Sequence, residues 1–152
     1  MSCGEGGGVV YEKDYILRII HQAGEMLRAL LAAIREQRPD DIFDASQEAL
    51  TLILGLPPAL WESLTPSGLI TLLSVGGVFD AKRGRLAAEV YVRRVQADRM
   101  TGLSEDGETD LAKALRLIGA VIENGDADDA AEARALLAEL DDRAPAGAGE
   151  PS

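Results

Sequence analysis

Cysteine and histidine are almost missing from this 152-residue chain, which has one of each. A single cysteine leaves no disulfide framework and no intramolecular cysteine-based zinc cluster, and one histidine leaves little for a His-ligated metal site. Neither a metal nor a cofactor is expected. Aromatics are scarce at 4%, with one tryptophan. Positive charge is in deficit: 15 Lys and Arg against 26 Asp and Glu give a formal net charge of −11. Attraction to nucleic acid or to an anionic membrane needs a basic surface, so neither is an expected partner. Long apolar runs are also lacking. Stretches such as Ala29–Ile34 fall far short of the roughly 20 residues that cross a bilayer. Met1–Gly8 has no Lys or Arg ahead of an apolar run, and Cys3 follows no hydrophobic stretch. Neither a signal peptide nor a lipid-attachment signal is read there. Cytoplasmic residence is the expectation, and the abundance of Ala, Arg, Gly and Asp fits a bacterial, GC-rich coding sequence.

With 47% hydrophobic and 27% charged residues, the composition is that of one acidic globular domain. The charge is lopsided. Up to Leu103 there are 13 acidic and 11 basic residues, and beyond it 13 acidic and 4 basic. Only the first part can hold a basic patch.

Hydrophobic periodicity sets the class. Ile16, Ile19, Ile20, Ala23, Leu27, Leu30, Leu31 and Ile34 follow helical spacing. They predict a long amphipathic helix over Tyr11–Gln37, roughly 40 Å in length, ended by Pro39. Asp40 and Asp41 supply an N-cap and first-turn charge for a second helix stopping near Gly55. Pro57 and Pro58 open a short third, Ala59–Leu64. Thr65 and Pro66 start a fourth, Ser67–Ser74, stopped by Gly76 and Gly77. Asp80 caps a fifth, to about Met100, with apolar residues on two sides. Ser104–Asp110 reads as an acidic loop. Leu111, Leu115, Ile118, Val121 and Ile122 mark a sixth helix, and Asp126 caps a seventh to about Asp141. No run alternates apolar and polar long enough for a sheet. The expected fold is all-α with about seven helices: a single helical domain over 11–142 between disordered tails at 1–10 and 143–152.

The opening Tyr11-Glu12-Lys13-Asp14-Tyr15-Ile16-Leu17-Arg18-Ile19-Ile20, with Leu54-Gly55-Leu56-Pro57, Glu62-Ser63-Leu64, Leu72-Leu73 and Gly76-Gly77, resembles a family of small bacterial helical proteins of unknown function. The resemblance spans roughly Tyr11–Leu140. It implies a tetratricopeptide-like fold, with the long first helix packed on a helical-hairpin half, and carries over no catalytic residue. Ala88, Tyr91, Ala112 and Ala114 imitate one tetratricopeptide unit, but the acidic loop is longer than that repeat permits.

Several residue groups invite chemistry. Lys82, Arg83, Arg85, Arg93, Arg94 and Arg99 concentrate positive charge on the fifth helix. They either receive an acidic peptide or phosphate or pair internally with the acidic C-terminal helices. The first three sit where the helix dipole disfavours cations, so a compensating partner is expected. With Tyr91 in the putting-together of a groove between the fifth and sixth helices, Lys82, Arg83, Arg85, Arg93 and Arg94 form the candidate binding set. His21 beside Arg18 and Glu25 is a candidate general base, with a surface histidine as the plainer reading. Cys3 has nothing near it to lower its pKa. Gly4-Glu5-Gly6-Gly7-Gly8 lacks the Lys-Ser/Thr pair of a phosphate loop and reads as a linker. Asn124, Asp126 and Asp128 alternate as in a calcium loop, yet the glycine and glutamate that such a loop needs are replaced by Asp129 and Ala135. Capping by Asp126 explains them. Asp44 and Glu48 read as a solvated face, Trp61 as core, and Gly24 and Gly119 as close helix crossings.

Three functional readings follow. The chain is a non-enzymatic protein-interaction or adaptor module whose groove holds another protein's acidic segment. Alternatively it is a small-ligand-binding protein or small hydrolase using His21, or a self-associating structural subunit, a homo-oligomer.

Overall fold

In a computed structural model, the backbone is described for residues 2–102 and 105–144, and side chains for residues 15, 17–102 and 107–141. Among the described residues the chain forms seven helices: α1 Ser2–Arg35, α2 Pro39–Leu54, α3 Pro58–Trp61, α4 Pro66–Leu72, α5 Ala81–Thr101, α6 Glu105–Asn124 and α7 Ala127–Ala144. A hairpin of two short strands, β1 Ser74–Val75 and β2 Val78–Phe79, lies between α4 and α5. The all-α class is as expected. No helix is long and apolar enough to cross a membrane, among the described residues.

Local chemistry sets the boundaries. Helix α1 closes with Gln37 N–H on Ile34 O and Arg38 N–H on Ala33 O, both at 3.0 Å. This is a Schellman arrangement with Gln37, at φ 54°, in the left-handed position usually given to glycine. Pro39 then sits in the first turn of α2, so the N-cap position falls on Arg38, which makes no side-chain cap. The expected cap at Asp40 is thereby displaced, and Asp40 and Asp41 act as first-turn charges instead. Thr65 accepts from Gly68 N–H at 2.9 Å, Asp80 from Arg83 N–H at 3.2 Å and Asp126 from Asp129 N–H at 2.8 Å. All three caps fall where the sequence puts them.

Five boundaries differ from expectation. Helix α1 begins at Ser2, through the glycine-rich segment read as a tail; once a helix is nucleated, each added residue gains a hydrogen bond without a new nucleation cost. At the other end α7 runs to Ala144, and the rest of the expected tail lies outside the described residues. Helix α3 is shorter than expected, ending at Trp61, with Ser63 and Leu64 in turns that bond back to Leu60 and Trp61. Gly76 and Gly77, at φ 60° and 83°, do not simply stop α4 but turn the hairpin. Two consecutive positive φ values match the twist of the flanking strands.

Helix α6 carries the fifth difference. It starts at Glu105, so most of the acidic stretch read as a loop is helix. Acidic residues suit a first helical turn as well as they suit a loop. The core-facing row of α6 is also rotated from the expected one: Ala114, Leu117, Ile118 and Val121 are buried while Leu115 is 44% exposed.

Helix α5 is the centre of the molecule, packed against α1, α2, α6 and α7. Helix α1 presents Ile19, Ala23, Leu27 and Leu30 to α2 and α5, as its periodicity predicts, while Ala33 takes the buried place expected of Ile34, and Ile20, Leu31 and Ile34 are half-buried. The expected crossings at Gly24 and Gly119 are not found, since a Cβ at either would meet nothing within 4 Å. Close approach occurs instead at Gly84, where a Cβ would lie 2.3 Å from the Phe79 ring, and at Gly107, where it would lie 1.9 Å from Asp98 Oδ2.

Candidate functional site

The cations of α5 do not share one surface. Along the α7 side, Arg85 and Arg93 both reach Glu89, at 3.6 and 3.2 Å, and each takes a carboxylate from α7, Glu132 at 2.9 Å and Glu139 respectively. Lys82 joins Asp129 at 3.1 Å and Asp126 at 3.4 Å, and these partners hold its ammonium above its ordinary pKa. Arg83 turns the other way and donates through two nitrogens, at 3.1 and 2.6 Å, to Ile53 O in the last turn of α2. Arg99 donates to Leu140 O at 3.2 Å. The compensating partners expected for cations at the start of α5 are thus internal, and the set Lys82, Arg83, Arg85, Tyr91, Arg93 and Arg94 is not assembled as a peptide-binding patch. Tyr91 itself is fully buried.

Arg94 has a separate environment. Its Nε donates to Asp110 at 3.1 Å and its Nη1 to Ser46 at 2.8 Å. The guanidinium lies 5.5 Å from the Phe43 ring centroid and 5.6 Å from that of Trp61. One side chain therefore joins α2, α3 and α6 to α5. Trp61 is held in turn by Nε1 donating to Thr51 Oγ1 at 3.1 Å, as a core residue with a polar handle.

Beside Arg94 opens a cleft of about 260 Å³ lined by Trp61, Glu62, Arg94, Thr109, Asp110 and Lys113. Lys113 is 2% exposed. Its ammonium donates one long hydrogen bond, 3.4 Å, to Glu62 O, and sits 5.6 Å from the centroid of the Tyr91 ring. Among the described residues no carboxylate comes within ion-pairing distance of it. Burial holds its pKa below the ordinary value, opposed by the field of Asp110. Burial also pushes the Tyr91 phenol well up, and its hydroxyl has no hydrogen-bond partner among the described residues. Buried polar groups are normally satisfied. A lysine with one long hydrogen bond and a phenol with none among the described residues lie side by side here.

Sequence reasoning passes over Lys113 and Asp110, although a signal exists. Both continue the buried row of α6 backwards from Ala114 and Leu117 at helical spacing. Charged residues at core-facing positions depart from binary patterning and mark functional sites more often than surface charges do. The wrong start assigned to α6 hides them.

The remaining candidates are peripheral. His21 is on the solvent face of α1, its side chain 75% exposed and 3.4 Å from Glu25. It lines neither the Arg94 cleft nor the neighbouring depressions. Asp44 and Glu48 are exposed. Among the described residues no cluster of three or more His, Cys, Asp or Glu could hold a metal. Cys3 and the side chains of the glycine-rich segment lie outside the described residues. Comparison with protein-family models, curated proteins and solved structures returns no match.

Proposed function

We propose that the chain is a non-enzymatic binding module, an adaptor, that holds an acidic group of a partner protein in the cleft between α3 and α6. The observation that carries the reading is Lys113, a buried ammonium facing a cleft with one long hydrogen bond to its name. Burying a cation without a counter-ion is costly. An arriving carboxylate supplies the missing charge and accepts the unused donors. Thr109 lines the same wall with a further hydroxyl. Arg94 contributes the positive field while Asp110 and Ser46 fix its orientation. The acidic partner segment expected from the sequence is retained, and its site moves from a groove between α5 and α6 lined by the arginine cluster to the cleft between α3 and α6, where Arg94 is the one member of that cluster in the lining.

The sole tryptophan, Trp61, forms part of the cleft wall and reports on its contents. Titration with sodium acetate at constant ionic strength, against sodium chloride, should give a saturable change in Trp61 fluorescence that is lost in Lys113→Met. A response that does not saturate, or that persists unchanged in Lys113→Met, overturns the reading.

A further inference from the structure

The cleft does not end at Lys113. Glu62, Thr109 and Lys113 are shared with a second, shallower depression of about 480 Å³ that continues along the surface between the α3–α4 turn and α6. Leu64 and Pro66 form one wall of this trough and Ala112 part of the other. Ala112 and Pro66 are small or rigid, and neither costs much side-chain entropy when covered. The arrangement is a deep polar hole opening into a mostly apolar channel, which suits a stretch of chain that lies along the channel and sends one side chain down.

Charge at the rim restricts what that chain carries. Glu62 and Glu108, both exposed, stand along the trough. Each repels a second acidic residue and attracts a basic one at short range, where screening is weak. The net charge of −11 acts in the same direction. The inside of the hole asks for a negative group while everything around it asks for positive ones.

Resting on the cleft reading above, we infer that the occupant is an extended segment of a partner protein with one Asp or Glu flanked by Lys or Arg, its carboxylate on Lys113 and its flanks against Glu62 and Glu108. Apolar residues between the anchor and the flanks lie over Leu64, Pro66 and Ala112. A uniformly acidic segment is excluded by the rim, and a free small anion uses the hole alone.

The test uses Trp61 fluorescence with three acetylated, amidated pentapeptides: Lys-Leu-Glu-Leu-Lys, its Gln-centred counterpart, and Glu-Leu-Glu-Leu-Glu. The first should bind at least tenfold more tightly than either of the others. Ala112→Tyr, which fills an exposed position of the trough without adding charge, should weaken it at least tenfold while leaving the acetate response within twofold of the parent. Glu108→Lys should narrow the gap between the basic-flanked and acid-flanked peptides, an altered preference that an unfolded variant cannot produce. Equal affinities for the three peptides, or an Ala112→Tyr variant that binds the first as the parent does, overturn the inference and leave a site for free small anions. Loss of the acetate response in the parent protein is a different result and overturns the cleft reading itself.

Discussion

The two sides of α5 handle positive charge in opposite ways. Toward α7, Lys82, Arg85 and Arg93 meet five carboxylates, of which Glu89 is shared by the two arginines, and most of these pairs reach solvent. Toward α3 and α6, Arg94 and Lys113 share a buried region with Asp110 as its ion-pairing carboxylate. The conspicuous arginine-rich face is internal glue, and the inconspicuous lysine is the group with unused bonding capacity. Density of charge along a helix says little about which charge is available. What decides is the neighbour that the fold brings opposite.

The comparison is tested most strongly by deleting one arginine from each side. Arg94→Ala leaves Asp110 and Ser46 buried without their donor and should cost about 3–5 kcal/mol. Arg93→Ala removes a buried guanidinium but leaves Glu139, 42% exposed, to water and Glu89 to Arg85, and should cost less, about 1–2 kcal/mol. Urea denaturation measures both, and equal losses would remove the distinction between the two sides. Gly107→Ala, driven against Asp98 at the α5–α6 contact, should lose about 1–3 kcal/mol. Gly119→Ala, on the open face of the same helix, should gain about 1 kcal/mol. Lys113→Met replaces a poorly satisfied buried cation with a chain of similar shape, and should be neutral or stabilising by about 1 kcal/mol while abolishing the acetate response.

The smallest effect separates the two lysines by sign. Lys82 has its folded pKa raised above 10.5, so its contribution is complete below that value and is lost as pH climbs through the raised one. Lys113 has its folded pKa lowered below 10.5, so it imposes a penalty at lower pH that is relieved as pH climbs from the lowered value to 10.5. Stability curves over about pH 8–11 should therefore change in opposite senses: Lys113→Met flattens a rise and Lys82→Met flattens a fall. Curves that shift in the same sense would show that the two lysines do not differ in the way described.

Much of the fold is legible from residues alone. Thr65, Asp80 and Asp126 announce helix starts because their side chains accept the orphan N–H groups there, and each does so. Ile19, Ala23, Leu27 and Leu30 of the periodic row give the buried face of α1. The β-hairpin is signalled by Val75-Gly76-Gly77-Val78, a di-glycine turn between β-branched residues, yet strands of two residues each are too short to show alternation. The site is harder to read. Acidic residues at 105–110 have the same appearance in a loop and in a first helical turn, and the choice between them sets the rotation of α6. With the helix started late, the expected apolar row runs through Leu115 and leaves Lys113 out, whereas in the fold Leu115 is exposed and Lys113 is buried.

Arg94 places one further demand on the molecule. Its partners come from Ser46, 48 residues away, and from Asp110, 16 residues away, so the cleft exists only once distant parts of the chain have docked. Damage to that arginine reaches the cell as missing protein before it reaches it as weakened binding, because a loss of a few kcal/mol lowers abundance through quality control. Inheritance of the cleft is consequently tied to inheritance of the core, and drift in specificity is left to the trough residues, such as Glu108 and Ala112, on which the fold does not depend.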